Sequence, residues 1–413
     1  MKVHKCKGSR DLSPEEMARF RIIEGGFRDC CLKRGYEEVR TPTLEYLHLF
    51  TSTGTLTPSL LGKVYTFLDW DGWSGERVVL RPDGTIPIAR LYIENMAGRE
   101  LAKLFYVASV FIFEGTGKET REKWQCGVEL IGGHSPLADA ELIMLASEVL
   151  QRFGLKDVEL RLSHAGLMRA LLIKLGLSPE EQGRIFDRIL DGDAQALTSL
   201  ESGSPELSRA LPLLLDLKGK SSEFLKNLRV QFAQNLSGLE ASLDDFINVV
   251  ELLESLGCKY QIDLASGRGF EYYTGVMYQL FVGRERIGGG GRYDALIPLM
   301  GGRDITASGF ALYLDHLMNL IKLGNLSKPV SPRILIRVKS DEPEITKEGF
   351  SIATCLHKNG YVAELDLGGQ EPADLKWTLD VQGKNALFVL TDMVEHERFE
   401  AHTADEVLAL LSP

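Results

Sequence analysis

Residues 103–133 read KLFYVASVFIFEGTGKETREKWQCGVELIGG, and this stretch carries the argument about the fold. Two β-rich apolar runs, Lys103–Phe113 and Trp124–Gly132, flank the polar segment GTGKETREK. Such a pattern predicts an antiparallel hairpin with a long charged loop. On the second run Gln125 and Glu129 lie four residues apart and so share one face, while Cys126, Val128 and Leu130 take the other. A carboxylate in that setting needs a partner. Two readings follow: recognition of a cationic or amine-bearing small molecule, or one solvated sheet face.

Working outward, Pro14–Gly35 carries apolar residues at helical spacing, with a Ser13-Pro14-Glu15-Glu16 start signal. Tyr36–Pro42 reads as a strand. Val64–Phe67 and Val78–Leu80 read as a hairpin, Pro136–Phe153 as an amphipathic helix and Val158–Leu162 as a strand. Residues 165–256 are helical in pattern. Strands are expected again at Tyr260–Leu264, Tyr272–Val282 and Arg286–Ile287, before the run Gly288–Gly291, and a helix over Gly309–Leu323. A turn-rich segment near Gly324–Pro332 marks a boundary. Beyond it strands at 333–338, 361–367 and 386–390 alternate with helices expected at 344–358, 373–382 and 403–411. The expected fold is α+β: a mainly antiparallel domain over 1–323 with a helical insertion at about 165–256, then a small α/β domain over 332–413.

The chain of 413 residues has average apolar content and a net charge of −11, which excludes disordered and collagen-like classes and gives no global sign of a nucleic-acid binder. Six scattered cysteines without C-x-x-C spacing indicate reduced thiols, and no histidine pattern suggests a metal. No apolar stretch reaches the ~18 residues of a membrane span. A cytoplasmic protein is expected, with no membrane partner.

Three more clusters can carry chemistry. Arg81-Pro-Asp83-Gly-Thr85 follows a strand and offers a guanidinium, a carboxylate and a hydroxyl for an amino acid's charged groups; the bland alternative is a hairpin turn. In Arg268-Gly-Phe-Glu271-Tyr272-Tyr273-Thr274-Gly275, consecutive tyrosines on a strand face opposite ways. In Gly288-Gly-Gly-Gly-Arg292-Tyr293-Asp294 the glycines let the backbone approach a ligand or another strand, without phosphate-loop spacing.

In this order the clusters resemble the catalytic domain of histidyl-tRNA synthetases, of the class II fold, over roughly residues 6–320. KGSRDLSPEE, GYEEVRTPTLE (the dimer strand of motif 1), LRPDGT, the 111–132 hairpin (motif 2), RGFEYYTG and GGGGRYD (the histidine motifs) and ASGFALYLDHL (motif 3) carry the likeness. The resemblance implies a histidine pocket lined by Asp83, Thr85, Gln125, Glu129, Tyr272, Tyr273 and Tyr293, with Arg268 on the substrate carboxylate. One donor and one acceptor suffice to read an imidazole.

The departures matter as much. Motif 2 of the synthetases begins Phe-Arg-x-Glu, whereas here it is Phe111-Ile112-Phe113-Glu114; only Arg121 survives in its shortened loop as a phosphate-side remnant. His316 stands where motif 3 ends in arginine. Adenylation depends on electrostatic clamping of phosphate, and one lost donor of this kind costs on the order of 10²–10³ in rate. A kept histidine pocket beside a damaged ATP clamp resembles the regulatory subunits of ATP phosphoribosyltransferase, which act at the first step of histidine biosynthesis. That likeness implies no catalytic residue, no cofactor, histidine as effector and ATP binding in doubt. It also implies a homodimer through the motif-1 region and a hetero-oligomer with short-form catalytic subunits. The intact RGFEYYTG is the feature on the side of the alternatives, a working histidine–tRNA ligase or a tRNA-independent paralogue. Against the ligase stands the region 332–413, where eight Lys or Arg face fifteen Asp or Glu. Phosphate contacts dominate nucleic-acid affinity, so this acidic remnant of an anticodon-binding domain is not expected to hold tRNA.

Overall fold

The structure is a computed structural model. It describes all residues except 1–3, 7, 57, 70–74, 113–120, 135, 175–177, 179–180, 182–217, 234–238, 265–272, 322–332, 341, 369–374, 385 and 412–413. The chain divides into two compact units, Met1–Leu326 and Ser327–Pro413.

The strands of the first unit are β1 (Glu37–Glu38), β2 (Leu44–Tyr46), β3 (Thr66–Leu68), β4 (Arg77–Leu80), β5 (Ala102–Val110) and β6 (Lys123–Ile131). They continue with β7 (Val158–His164), β8 (Lys218–Gly219), β9 (Gln261–Asp263), β10 (Val276–Val282), β11 (Glu285–Arg292) and β12 (Ala307–Tyr313). Nine of these form one sheet in the order β1-β5-β6-β12-β11-β10-β7-β9-β8, antiparallel except at β1/β5 and β7/β9. On one face pack the helices Pro14–Lys33, Leu137–Arg152 and Glu240–Ser255, with Cys126, Val128, Leu130, Phe310 and Leu312 pointing into that core. Ser13 caps the first of these, as the sequence predicts, and Glu16 closes a capping box with it. The opposite face carries a smaller core around Ile86, Ile88, Tyr92, Leu104, Tyr106 and Tyr293, packed under the helix Thr85–Asn95.

β2, β4 and β3 form a separate three-stranded sheet. Its register puts Leu44 opposite Leu80, and Tyr46 and Phe67 opposite Val78, on one face. Leu44, Tyr46 and Phe67 are exposed there, while Glu45 on the other face is buried.

Two expectations fail within this unit. Residues 309–313 are strand, and the helix begins only at Leu314. Phe310 and Leu312 are buried while Ala311 and Tyr313 are only half-buried, a period of two that the apolar count hides. The strand around Arg286 does not stop before the glycines but runs through them to Arg292. A Cβ at Gly290 would collide with the Gly309 carbonyl and one at Gly291 with that of Val276, so the run lets neighbouring strands close. The helical reading of 165–256 holds for Ala165–Lys174, Ser222–Ala233 and Glu240–Ser255; residues 182–217 lie outside the described residues.

In the second unit, β13 (Arg333–Val338), β14 (Val362–Leu365), β15 (Leu375–Lys384), β16 (Ala386–Asp392) and β17 (Arg398–Ala401) form a mixed sheet in the order β14-β13-β15-β16-β17. The helices Pro343–Lys358 and Ala404–Leu411 accompany it. The helix expected at 373–382 is instead β15, because Trp377, Leu379 and Val381 are buried at strand spacing between β13 and β16.

Candidate functional site

The site lies on the sheet face that carries the smaller core. Gln125, Gly127 and Glu129 of β6 point to it, paired with Tyr313, Ala311 and Gly309 of β12. Three of these positions carry small residues, and the Glu129 carboxylate lies over one of them, Gly309. Gly127 is required for another reason: a Cβ there would strike the Tyr106 ring, and one at Gly84 would strike it from the other side. Tyr106 is thus wedged between β6 and the turn that precedes the helix Thr85–Asn95, which fixes that helix over the sheet.

Glu129 stands at the centre. Only 1% exposed, it accepts a hydrogen bond from Thr85 Oγ1 at 2.7 Å on one carboxylate oxygen, and from the Tyr293 hydroxyl on the other. Burial pushes its carboxyl up to about 8, against the opposing pull of Tyr293 and Thr85. Asp83 sits beside it. Its Oδ1 accepts the Ile86 N–H at 3.0 Å, and burial raises its carboxyl to about 6, with the Ile86 and Thr85 amides opposing. Two such carboxyls side by side can receive a cationic group.

Tyr273 approaches from the segment before β10, its ring centre 6.5 Å from that of Tyr293. Burial holds its hydroxyl far above the usual tyrosine range, with Arg286 pulling the other way. Asp83, Thr85, Glu129, Tyr273 and Tyr293 therefore converge, and Gln125 shares their sheet face four residues from Glu129. Arg268 and Tyr272 lie outside the described residues. Arg121 is directed elsewhere: its Nη1 donates to Tyr65 Oη at 3.0 Å and its backbone N–H to Gly8 O.

Arg81 does not join Asp83, contrary to one reading of the 81–85 cluster. Its Nε donates to Ser109 O at 2.8 Å and its Nη1 to the carbonyls of Thr41 and Pro42, so it is a buried tie between loops. Arg292 is structural too, pairing with Asp139 and, at 3.0 Å, with Asp245. At the two positions that depart from the synthetase pattern, Ile112 packs on the smaller core. His316 places Nδ1 2.7 Å from Glu285 Oε1. Sequence reasoning missed Tyr106, Arg286 and Tyr313. Tyr106 has a faint signal in Gly84 and Gly127, but only the register of β5 against β6 pairs it with the latter.

The mainly antiparallel nine-stranded sheet, the buried Glu129 cluster and the glycine strand beside it define a class II synthetase-like, histidyl-tRNA synthetase type of protein. The chain matches the family described as "Histidyl-tRNA synthetase" over residues 8–317. It is 34% identical to a histidine–tRNA ligase of Methanocaldococcus jannaschii, over 89% of this chain and 86% of the other. The solved structure of an ATP phosphoribosyltransferase regulatory subunit/histidyl-tRNA synthetase from Bacillus halodurans superimposes with a TM-score of 0.73 at 27% identity, covering 91% and 95% of the two chains. A much closer likeness, 52% identity over 99% of this chain and 98% of the other, is to an ATP phosphoribosyltransferase regulatory subunit of Dehalococcoides mccartyi. The chain belongs to this regulatory-subunit family within the histidyl-tRNA synthetase fold. Among the described residues, no helix is long and apolar enough to cross a membrane and no cluster could hold a metal ion.

Proposed function

We propose that the chain is a non-catalytic histidine sensor that regulates a separate catalytic subunit of ATP phosphoribosyltransferase in the cytoplasm. The observation that carries this reading is the pairing of a buried Glu129–Thr85–Tyr293 cluster with an apolar Ile112 where the synthetases place a phosphate-clamping arginine. Asp83, Thr85, Gln125, Glu129, Tyr273 and Tyr293 take the histidine, with Arg268 and Tyr272 completing the pocket as the family resemblance implies. Histidine then biases the assembly toward an inhibited state, which requires a differential affinity between two states worth ~1–3 kcal/mol. The partner subunit performs the chemistry, the joining of ATP to phosphoribosyl pyrophosphate. The exposed apolar face of Leu44, which lies in the motif-1 segment, and of Tyr46 and Phe67 beside it in the three-stranded sheet supports a homodimer.

The deciding assay is histidine-dependent ATP–pyrophosphate exchange by the purified chain. No exchange is expected, together with a histidine-induced rise in melting temperature. Robust exchange would refute the sensor reading in favour of a histidine–tRNA ligase.

A further inference from the structure

Beyond its pull on the Tyr273 hydroxyl, Arg286 has no ligand-binding role in the site described so far, yet it faces that site. Its side chain leaves β11 on the site side and curls back over the glycine floor, where Nη2 lies 3.2 Å from the place a Cβ of Gly289 would occupy. Its guanidinium carbon stands 5.7 Å from the centre of the Tyr313 ring, and its charge acts on the Tyr273 hydroxyl. The hydrogen bond found for it is long, from Nε to Gly288 O at 3.4 Å. Among the described residues no carboxylate pairs with it; the neighbouring Glu285 engages His316 instead. A half-buried guanidinium held by an aromatic face and left without an anion is a donor fork awaiting one.

The sheet register gives the spacing. The Glu129 carboxylate reaches over Gly309, which pairs with Gly291, and Gly289 lies two residues further along β11. Two residues of rise and one strand of separation place carboxylate and guanidinium about 8 Å apart. Subtracting two hydrogen bonds of ~2.8 Å leaves roughly 2.4 Å between the nitrogen and oxygen of a bridging ligand in line with both, close to the shorter ammonium-to-carboxylate distance of an amino-acid zwitterion.

We propose that Arg286, backed by Tyr313 and Tyr273, forms an oxyanion subsite beside the Glu129 pocket. A carboxylate of the bound amino acid or a phosphate of a nucleotide supplies the oxyanion. The nature of the amino acid rests on the histidine reading above; the existence of the subsite does not.

The test is calorimetric titration of the full chain and of Arg286→Gln and Arg286→Lys with three probes: histidine, histamine (which lacks the carboxylate) and AMP. With a carboxylate occupant, R286Q weakens histidine binding ten- to a hundredfold, leaves histamine unchanged, and R286K recovers part of the loss. With a phosphate occupant, R286Q instead removes AMP binding and leaves the histidine-to-histamine ratio as it was. Either result supports the subsite. AMP binding that depends on Arg286 in a chain deaf to histidine would sustain the subsite and refute the histidine reading. Wild-type-like binding of every probe by R286Q, or no binding of histidine or AMP by the wild-type chain, would overturn the proposal.

Discussion

Replacing Glu129 by glutamine tests the electrostatics of the pocket. In the ligand-free protein burial raises the Glu129 carboxyl from 4.5 to about 8, so near pH 7 it is about nine-tenths protonated. The folded value lies above the unfolded one. The group's contribution to stability is therefore whole below about pH 4.5 and is lost as pH rises through about 8. At 1.36 kcal/mol per tenfold change in proton activity, the loss is on the order of 3–5 kcal/mol. Glutamine has the same shape, can still engage Thr85 and Tyr293, and does not ionise. The difference in melting temperature between Glu129→Gln and wild type should therefore grow in favour of the variant from pH 5 to pH 8.5, by about 5–10 °C. A cationic ligand group reverses the logic, because it holds the carboxylate ionised and displaces the proton. Histidine binding at pH 7 should release close to one proton, read by calorimetry in buffers of different ionisation enthalpy, and E129Q should abolish that release. A difference in melting temperature that stays flat with pH would refute the placement of Glu129 as a buried, protonated acid.

Other substitutions probe the surrounding architecture. Gly309→Ala should push the Glu129 carboxylate aside and cost about 1–3 kcal/mol, removing histidine-induced stabilisation in a thermal shift assay. Arg81→Gln should destabilise by roughly 2–4 kcal/mol in urea titration, since it strips donors from the carbonyls of residues 41, 42 and 109, while the affinity for histidine of the protein that remains folded holds. Arg292→Leu should cost about 3–5 kcal/mol by leaving Asp139 and Asp245 without their shared cation. The double variant Ile112→Arg, His316→Arg should gain ATP affinity in a filter-binding assay; no gain would count against damage to the phosphate clamp as the cause of silence.

Most of the frame was legible in the residues, because the hairpin 103–133, the capped first helix and the amphipathic helix after Pro136 carry strong local periodicity. The failures share a cause. At 309–313 and 375–384 apolar residues are dense enough to satisfy a helical count, and only pairing with strands distant in sequence exposes the period of two. Asp83, Thr85, Glu129 and Tyr293 could be named in advance as candidates, but their convergence could not, since it depends on which strands become neighbours in the sheet. Arg81 shows the same limit in reverse: a guanidinium two residues from Asp83 in sequence turns to backbone carbonyls from two other segments. In sequence Arg286 reads as no more than the start of a short strand; its direction is set by the sheet register and the glycine run, neither of which leaves a local mark.

The helix Thr85–Asn95 has a second anchor besides the pocket. Five residues beyond Thr85, about 7–8 Å along the axis, Arg90 grips Glu45 with two hydrogen bonds of 2.7 and 2.8 Å. Glu45 is on the inner face of β2, whose outer face presents Leu44 and Tyr46 to the surroundings. The first turn of this rod thus feels whatever fills the pocket, and its middle is bolted to the back of an exposed apolar plate. A molecule pressed onto that plate and a molecule held by Glu129 would be felt by the same piece of rigid backbone, with one ion pair as the joint between them.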